Sequence, residues 1–210
     1  MNTIMAVLVL LSPMVTKHQT PQDTLNDFNI HITAGATSGG DVTEPGVNGG
    51  GKLEYLLTHP VVIRLSGNYG YSNIKSHDLP YGSLKNYDFA FEALAYRGRQ
   101  SYFIYIGLGL VKSFYDFSPD QKDSFYFDNI EADSLFDSGD LNGIDMSSGW
   151  GYRFILGGRY KKKFSLEFGF QETRPDFKFR VTRPHEKFAD IIRESKVTTF
   201  WVNIGYLIPL

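Results

Sequence analysis

The sequence contains no cysteine, which removes disulfide scaffolds, thiolate nucleophiles and cysteine-built metal sites. No stretch reaches the roughly 18 consecutive apolar residues that a membrane-crossing helix needs. Charge of either sign is scarce in sum: the net value of -2 offers nucleic acid no general attraction, and no basic patch interleaved with stacking aromatics makes up for it. Redox chemistry, a cofactor and a nucleic-acid partner are therefore not expected. What the chain has instead is aromatic residues and glycine. Thirteen Tyr, 17 Phe and 2 Trp make 15% of the residues, alongside 21 Gly. Sheets favour aromatics, and glycine marks turns or crowded interiors, so a β-rich fold leads.

Near the start, the apolar run Ile4 to Leu11 followed by Ser12 and Pro13 has the length of the central region of an export signal. No Lys or Arg precedes it and no small-x-small cleavage site follows, so a buried N-terminal helix is the alternative. On this reading residues 1–22 are an export segment and 23–210 form one domain.

Beyond it, eight stretches alternate with period two, as strands with unlike faces do. They begin with about Phe28 to Thr37, Lys52 to Leu57, and a third in which Val61, Ile63, Leu65 and Tyr69 oppose Arg64, Ser66 and Asn68. The fourth sets Tyr87, Phe89 and Phe91 against Asp88 and Glu92; the fifth, Tyr102 to Ser113, is apolar on both sides, with Gly107 and Gly109 sharing the face of Phe103 and Tyr105. The sixth opposes Tyr152, Phe154 and Leu156 to Arg153, Ile155 and Arg159. In the seventh, Phe164, Leu166 and Phe168 stand against Ser165 and Glu167, and in the eighth, Phe200, Val202 and Ile204 stand against Trp201 and Asn203. The connections alternate too. Thr58 to Pro60, Arg97 to Gln100 and Lys161 to Lys163 are tight, whereas Ser38 to Gly49, Ser72 to Lys85, Phe114 to Gly149 and Thr173 to Lys196 are long. Short turns on one side of a membrane and long loops on the other belong to transmembrane barrels, and an even strand count puts both termini on the short-turn side.

Volume decides which face points inward. Eight strands enclose a space just wide enough for side chains to fill, too narrow for the bulky aromatics of all eight segments. Turned outward, those rings make a lipid-facing band, and Glu54, Arg64, Asp88, Glu92, Arg153, Arg159 and Glu167 become an interior charge network. Closure also leaves no backbone polar group facing hydrocarbon.

With these segments in view, the chain resembles the small outer-membrane β-barrels, the OmpA/OmpX-like "porin family" of eight strands, over about residues 28 to 210. The carriers are ITAGAT, YDFAFEALAY, YFIYIGLGL, YRFILGGRY, FSLEFGF and the terminal FWVNIGYLIPL. The resemblance implies an all-β, eight-stranded antiparallel up-and-down transmembrane barrel in the bacterial outer membrane, with lipid, lipopolysaccharide and the barrel-assembly machinery as partners and no obligate oligomer. Ile204, Tyr206, Ile208 and Leu210 look like the C-terminal signal read by that machinery. The segment departs from the usual pattern in ending with Leu210 rather than Phe, and Pro209 cannot donate a strand hydrogen bond.

Each candidate site has a plainer counterpart. The interior charges either line a narrow pore for ions or small solutes or plug the barrel, and eight strands favour the plug. The third long loop is acidic, and Ser138 to Gly143 loosely echoes a calcium loop, but position twelve falls on Gly149 instead of Glu, so no metal is expected. The fourth is basic: Arg174, Lys178, Arg180, Arg183 and Lys187 suit lipopolysaccharide phosphates or pairing with the acidic loop. Within it Phe188, Ile191 and Ile192 have the spacing of a short amphipathic helix after Pro184. No histidine is flanked by serine as in lipid A-modifying barrels; Ser66 and His31 are the pair closest to meeting inside the barrel. The expectation is thus no catalytic residue, and a non-enzymatic barrel that presents external loops for envelope structure, adhesion or ligand contact.

Overall fold

A strand whose alternate side chains differ in polarity needs a different environment on each side. In the computed structural model of the chain those environments are the inside and outside of a closed barrel. The structure describes residues 28–39, 43–58, 60–76, 79–99, 101–119, 140–161, 163–183, 186–194 and 196–209. The export segment 1–22, most of the acidic loop and Leu210 lie outside them.

The strands are β1 (Phe28–Ser38), β2 (Gly46–Thr58), β3 (Val61–Ser76), β4 (Leu79–Arg99), β5 (Tyr102–Pro119), β6 (Asp140–Met146), β7 (Gly149–Tyr160), β8 (Phe164–Arg174), β9 (Asp176–Arg183), β10 (Glu186–Glu194) and β11 (Val197–Pro209). Eight close the barrel in the order β1-β11-β8-β7-β5-β4-β3-β2, every neighbour antiparallel. Both terminal strands begin or end on the short-turn rim, where Asn29 faces Pro209. The other three strands form a separate sheet, β10-β9-β6, which joins the end of the acidic loop to the basic loop with Asp145 in register opposite Lys178.

Two expectations change here. Residues 186–194 are strand β10, not the amphipathic helix that Phe188, Ile191 and Ile192 suggested. A nine-residue helix is marginal on its own, whereas pairing with β9 satisfies the same backbone groups. Asp140 to Gly143, weighed as part of a calcium loop, lie extended in β6 and cannot wrap a cation. Several expected loops are also shorter. β2 starts at Gly46, β3 and β4 nearly meet at Ser76 and Leu79, and β5 runs on to Pro119. Past the apolar band the ladder pairing continues without a regular apolar period to announce it.

The middle band of the outer wall is apolar: Ile32, Leu65, Phe91, Leu108, Leu156, Phe168 and Ile204 all point out and are exposed. Its aromatics pair at two levels. Phe28 with Tyr55, Tyr102 with Tyr160 and Phe164 with Tyr206 ring the short-turn rim, while Tyr69 with Tyr87, Phe89 with Phe114 and Phe170 with Phe200 ring the opposite one. Such girdles sit at the two interfaces of a membrane. Inside, the short-turn end holds an apolar cluster of Val62, Leu94, Tyr96 and Phe103, so the interior is less uniformly polar than the charge pattern alone suggests.

Candidate functional site

Register strings four of the interior charges along one row around the barrel. Glu54 faces Arg64, Arg64 faces Glu92, Glu92 faces Gly109, Gly109 faces Arg153, and Arg153 faces Gln171. Acid and base alternate, and glycine yields its space to the long side chains on either side.

Arg64, with no exposed surface, is the hub. Its Nε donates to Glu92, and its Nη1 donates to Glu167 Oε1 at 2.6 Å and lies 3.5 Å from Glu54 Oε1. Lys52 also bonds Glu167, Arg159 bonds Glu54, and the Tyr105 hydroxyl donates to Glu167 Oε1 at 2.6 Å. Nearer the external rim, Arg153 donates to Glu92 Oε1 at 3.1 Å, to Asp88 Oδ2 at 3.2 Å and to Gln171 Oε1 at 2.6 Å, with its guanidinium 4.8 Å from the Trp201 ring centre. Arg159 stacks likewise on Tyr96, 4.6 Å from the ring centre. Four cations (Lys52, Arg64, Arg153, Arg159) stand against four carboxylates (Glu54, Asp88, Glu92, Glu167), so the formal charge of the buried network is 4 − 4 = 0. A neutral, multiply bonded cluster is the form in which burial of charge is tolerable.

Lys52 and Tyr105 are members that sequence reasoning left out of the network. Lys52 was findable, since it stands two residues from Glu54 and hence on the same face; Tyr105 was not, because its strand is apolar on both sides.

His31 meets Ser165, not Ser66: its Nε2 lies 2.6 Å from Ser165 Oγ, while Ser66 Oγ donates to Glu92 at 3.0 Å. His31 Nδ1 lies 3.7 Å from Glu167 and 3.9 Å from Glu54. The order of serine, imidazole and carboxylate is that of a nucleophilic triad. The carboxylates are nevertheless beyond hydrogen-bond reach of Nδ1, and the histidine and serine are 0% and 4% exposed, sealed from any substrate. The histidine fits only because Gly205 faces it; a Cβ there would stand 1.9 Å from His31 Nε2. Gly205→Val is accordingly expected to destabilise the barrel by about 1–3 kcal/mol through overpacking. Urea unfolding in vesicles measures this, and an unchanged midpoint would contradict the packing described.

Above the plug, toward the external rim, lies a narrow polar vestibule with a cavity volume of about 20 Å³, with Thr37, Asn48, Asn68, Asn86 and Asn203 on its walls and Arg153, Asp88 and Glu92 among the charges it reaches. Among the described residues no cluster could hold a metal ion. Of the basic-loop residues, Arg174 ends β8 with its side chain two-thirds exposed, Lys178, Arg180 and Arg183 lie in β9, and Lys187 lies in β10. Ile204, Tyr206 and Ile208 alternate along the outer face of β11.

No protein-family model matches the chain, and no curated protein matches it in sequence. Solved structures do. The outer membrane protein OprG from Pseudomonas aeruginosa aligns over 91% of this chain and 100% of its own, at 14% identity and a TM-score of 0.56. Neisserial surface protein A aligns over 88% and 97%, at 14% identity and a TM-score of 0.52, and the outer membrane protein AlkL over 93% and 98%, at 10% identity and a TM-score of 0.50. At such identities the likeness carries the fold and leaves the role open. The chain has the eight-stranded fold of the bacterial outer-membrane barrels, and with an apolar wall around a polar interior its place is the outer membrane.

Proposed function

We propose that the protein is a non-enzymatic outer-membrane barrel, closed to solutes, that holds its external strands out for envelope structure, adhesion or ligand contact. The observation that carries this is the neutral plug: every charge of the interior network is buried and bonded to another across the lumen, and an apolar cluster backs it at the short-turn rim. The long wall strands β4 and β5 and the separate β10-β9-β6 sheet add a surface on the long-loop side of the barrel. The sealed His31–Ser165 pair supports a structural rather than a catalytic role, and lipid A from cells with and without the protein is expected to give the same mass spectrum.

The second reading, a narrow pore for ions or small solutes, is favoured by the vestibule, which leads water to Arg153 and Asp88. Planar-bilayer recording of the purified protein separates the two. A silent bilayer is expected; unitary steps that change size on Glu92→Gln or Arg153→Gln would replace the plug with a pore.

A further inference from the structure

On the outward face of β5 a charge stands at the end of an apolar row. Outward along β5 come Ile104, Ile106, Leu108 and Leu110, all exposed, then Lys112, then Phe114. Register sets Lys112 beside Trp150 and Trp150 beside Arg174. The Lys112 ammonium lies 5.1 Å from the Trp150 ring centre and 5.9 Å from that of Phe114, and among the described residues no carboxylate reaches it. Held against acyl chains an ammonium is unfavourable, so a lysine at this height extends toward polar headgroups.

Next to this row, Glu172 accepts from Tyr152 at 2.9 Å and from Lys196 at 2.6 Å and lies 3.9 Å from Arg174. The one carboxylate of the patch is thereby engaged, while the Arg174 and Lys196 side chains remain 66% and 61% exposed. Three cations against one acid leave 3 − 1 = +2 on a lipid-facing surface at the level of the external aromatic girdle. The exposed Trp150 indole stands between Lys112 and Arg174 in the register.

We propose that Lys112 and Arg174, on either side of Trp150 in the strand register, together with Lys196 beside Glu172, form a site for the phosphate of an outer-leaflet lipid headgroup. The guanidinium of Arg174 supplies paired donors to the phosphate oxygens, Lys112 and Lys196 supply point charges, and the acyl chains run down over Leu110 and Tyr152. Of the five residues matched to lipopolysaccharide phosphates from sequence, Arg174 belongs to this site, and Lys196 stands at the end of the same loop. The site rests on the barrel standing in a bilayer and not on the plug, so a conducting barrel would leave it intact.

Native mass spectrometry of the full-length protein in micelles, with bisphosphorylated lipid A and its dephosphorylated form as probes, tests the proposal. Retention of the bisphosphorylated lipid is expected to be about tenfold stronger, to fall several-fold in Lys112→Gln and in Arg174→Gln, and to survive Lys112→Arg. Lys161→Gln, on the opposite rim, serves as the control for nonspecific charge and is expected to behave as the parent. Heat-dependent gel mobility reports folding of each variant, and Arg174, at an exposed strand end, is the variant least able to disturb it. Equal retention of the two lipids, an equal loss in Lys161→Gln, or an Arg174→Gln variant that binds like the parent would overturn the site.

Discussion

Replacing Arg64 by methionine is expected to lower the unfolding free energy of the barrel by about 3–5 kcal/mol, the range for breaking a buried ion pair from one side. Arg64 contacts Glu92, Glu167 and Glu54 at once, and none of the four side chains has more than 1% of its surface exposed. Its removal leaves three cations facing four carboxylates, all of them buried. The deficit should be partly reversible. Arg64→Met combined with Glu92→Gln restores the charge balance at three and three and is expected to regain about half of the loss, the two sites being in contact and hence non-additive. Urea titration in lipid vesicles, followed by Trp fluorescence, measures both. A single variant as stable as the parent would show that the network does not hold the interior, and the closed-barrel reading would fall with it.

The second large effect concerns the outer wall. Leu108 lies midway along the outward face of β5, between Tyr102 in one girdle and Phe114 in the other. Leu108→Arg is expected to destabilise the membrane-inserted protein by about 2–4 kcal/mol, whereas Tyr102→Arg, at the interface, should cost only about 0–1 kcal/mol. The dependence on depth is the informative part. A protein whose outer face met water would tolerate both substitutions alike, so equal and small effects in vesicle refolding would reject the bilayer placement.

Much of this architecture is legible in the residue order because the barrel has two unlike environments one side chain apart. Phe164, Leu166 and Phe168 against Ser165 and Glu167 can satisfy lipid and lumen only as a strand in one orientation, and the same holds for the segments around Arg64, Glu92 and Arg153. Where the environments become alike, the signal fades. The glycines of β2 have no side chains to alternate, and their pairing is a property of the neighbouring strand. Phe188, Ile191 and Ile192 illustrate the opposite error: a helical spacing of three residues outweighed locally by a partner, β9, that no local pattern reveals.

The order of residues by itself determined the class of fold, the number of barrel strands and which side chains face lipid, because each is settled by period-two polarity and by how much bulk eight strands can enclose. Only the closed barrel decided that His31 meets Ser165, that Arg64 serves three carboxylates, and that Lys112, Trp150 and Arg174 share a row. Those contacts join residues far apart in the chain, and they depend on the register by which neighbouring strands slide and lock, a long-range quantity that no single segment encodes.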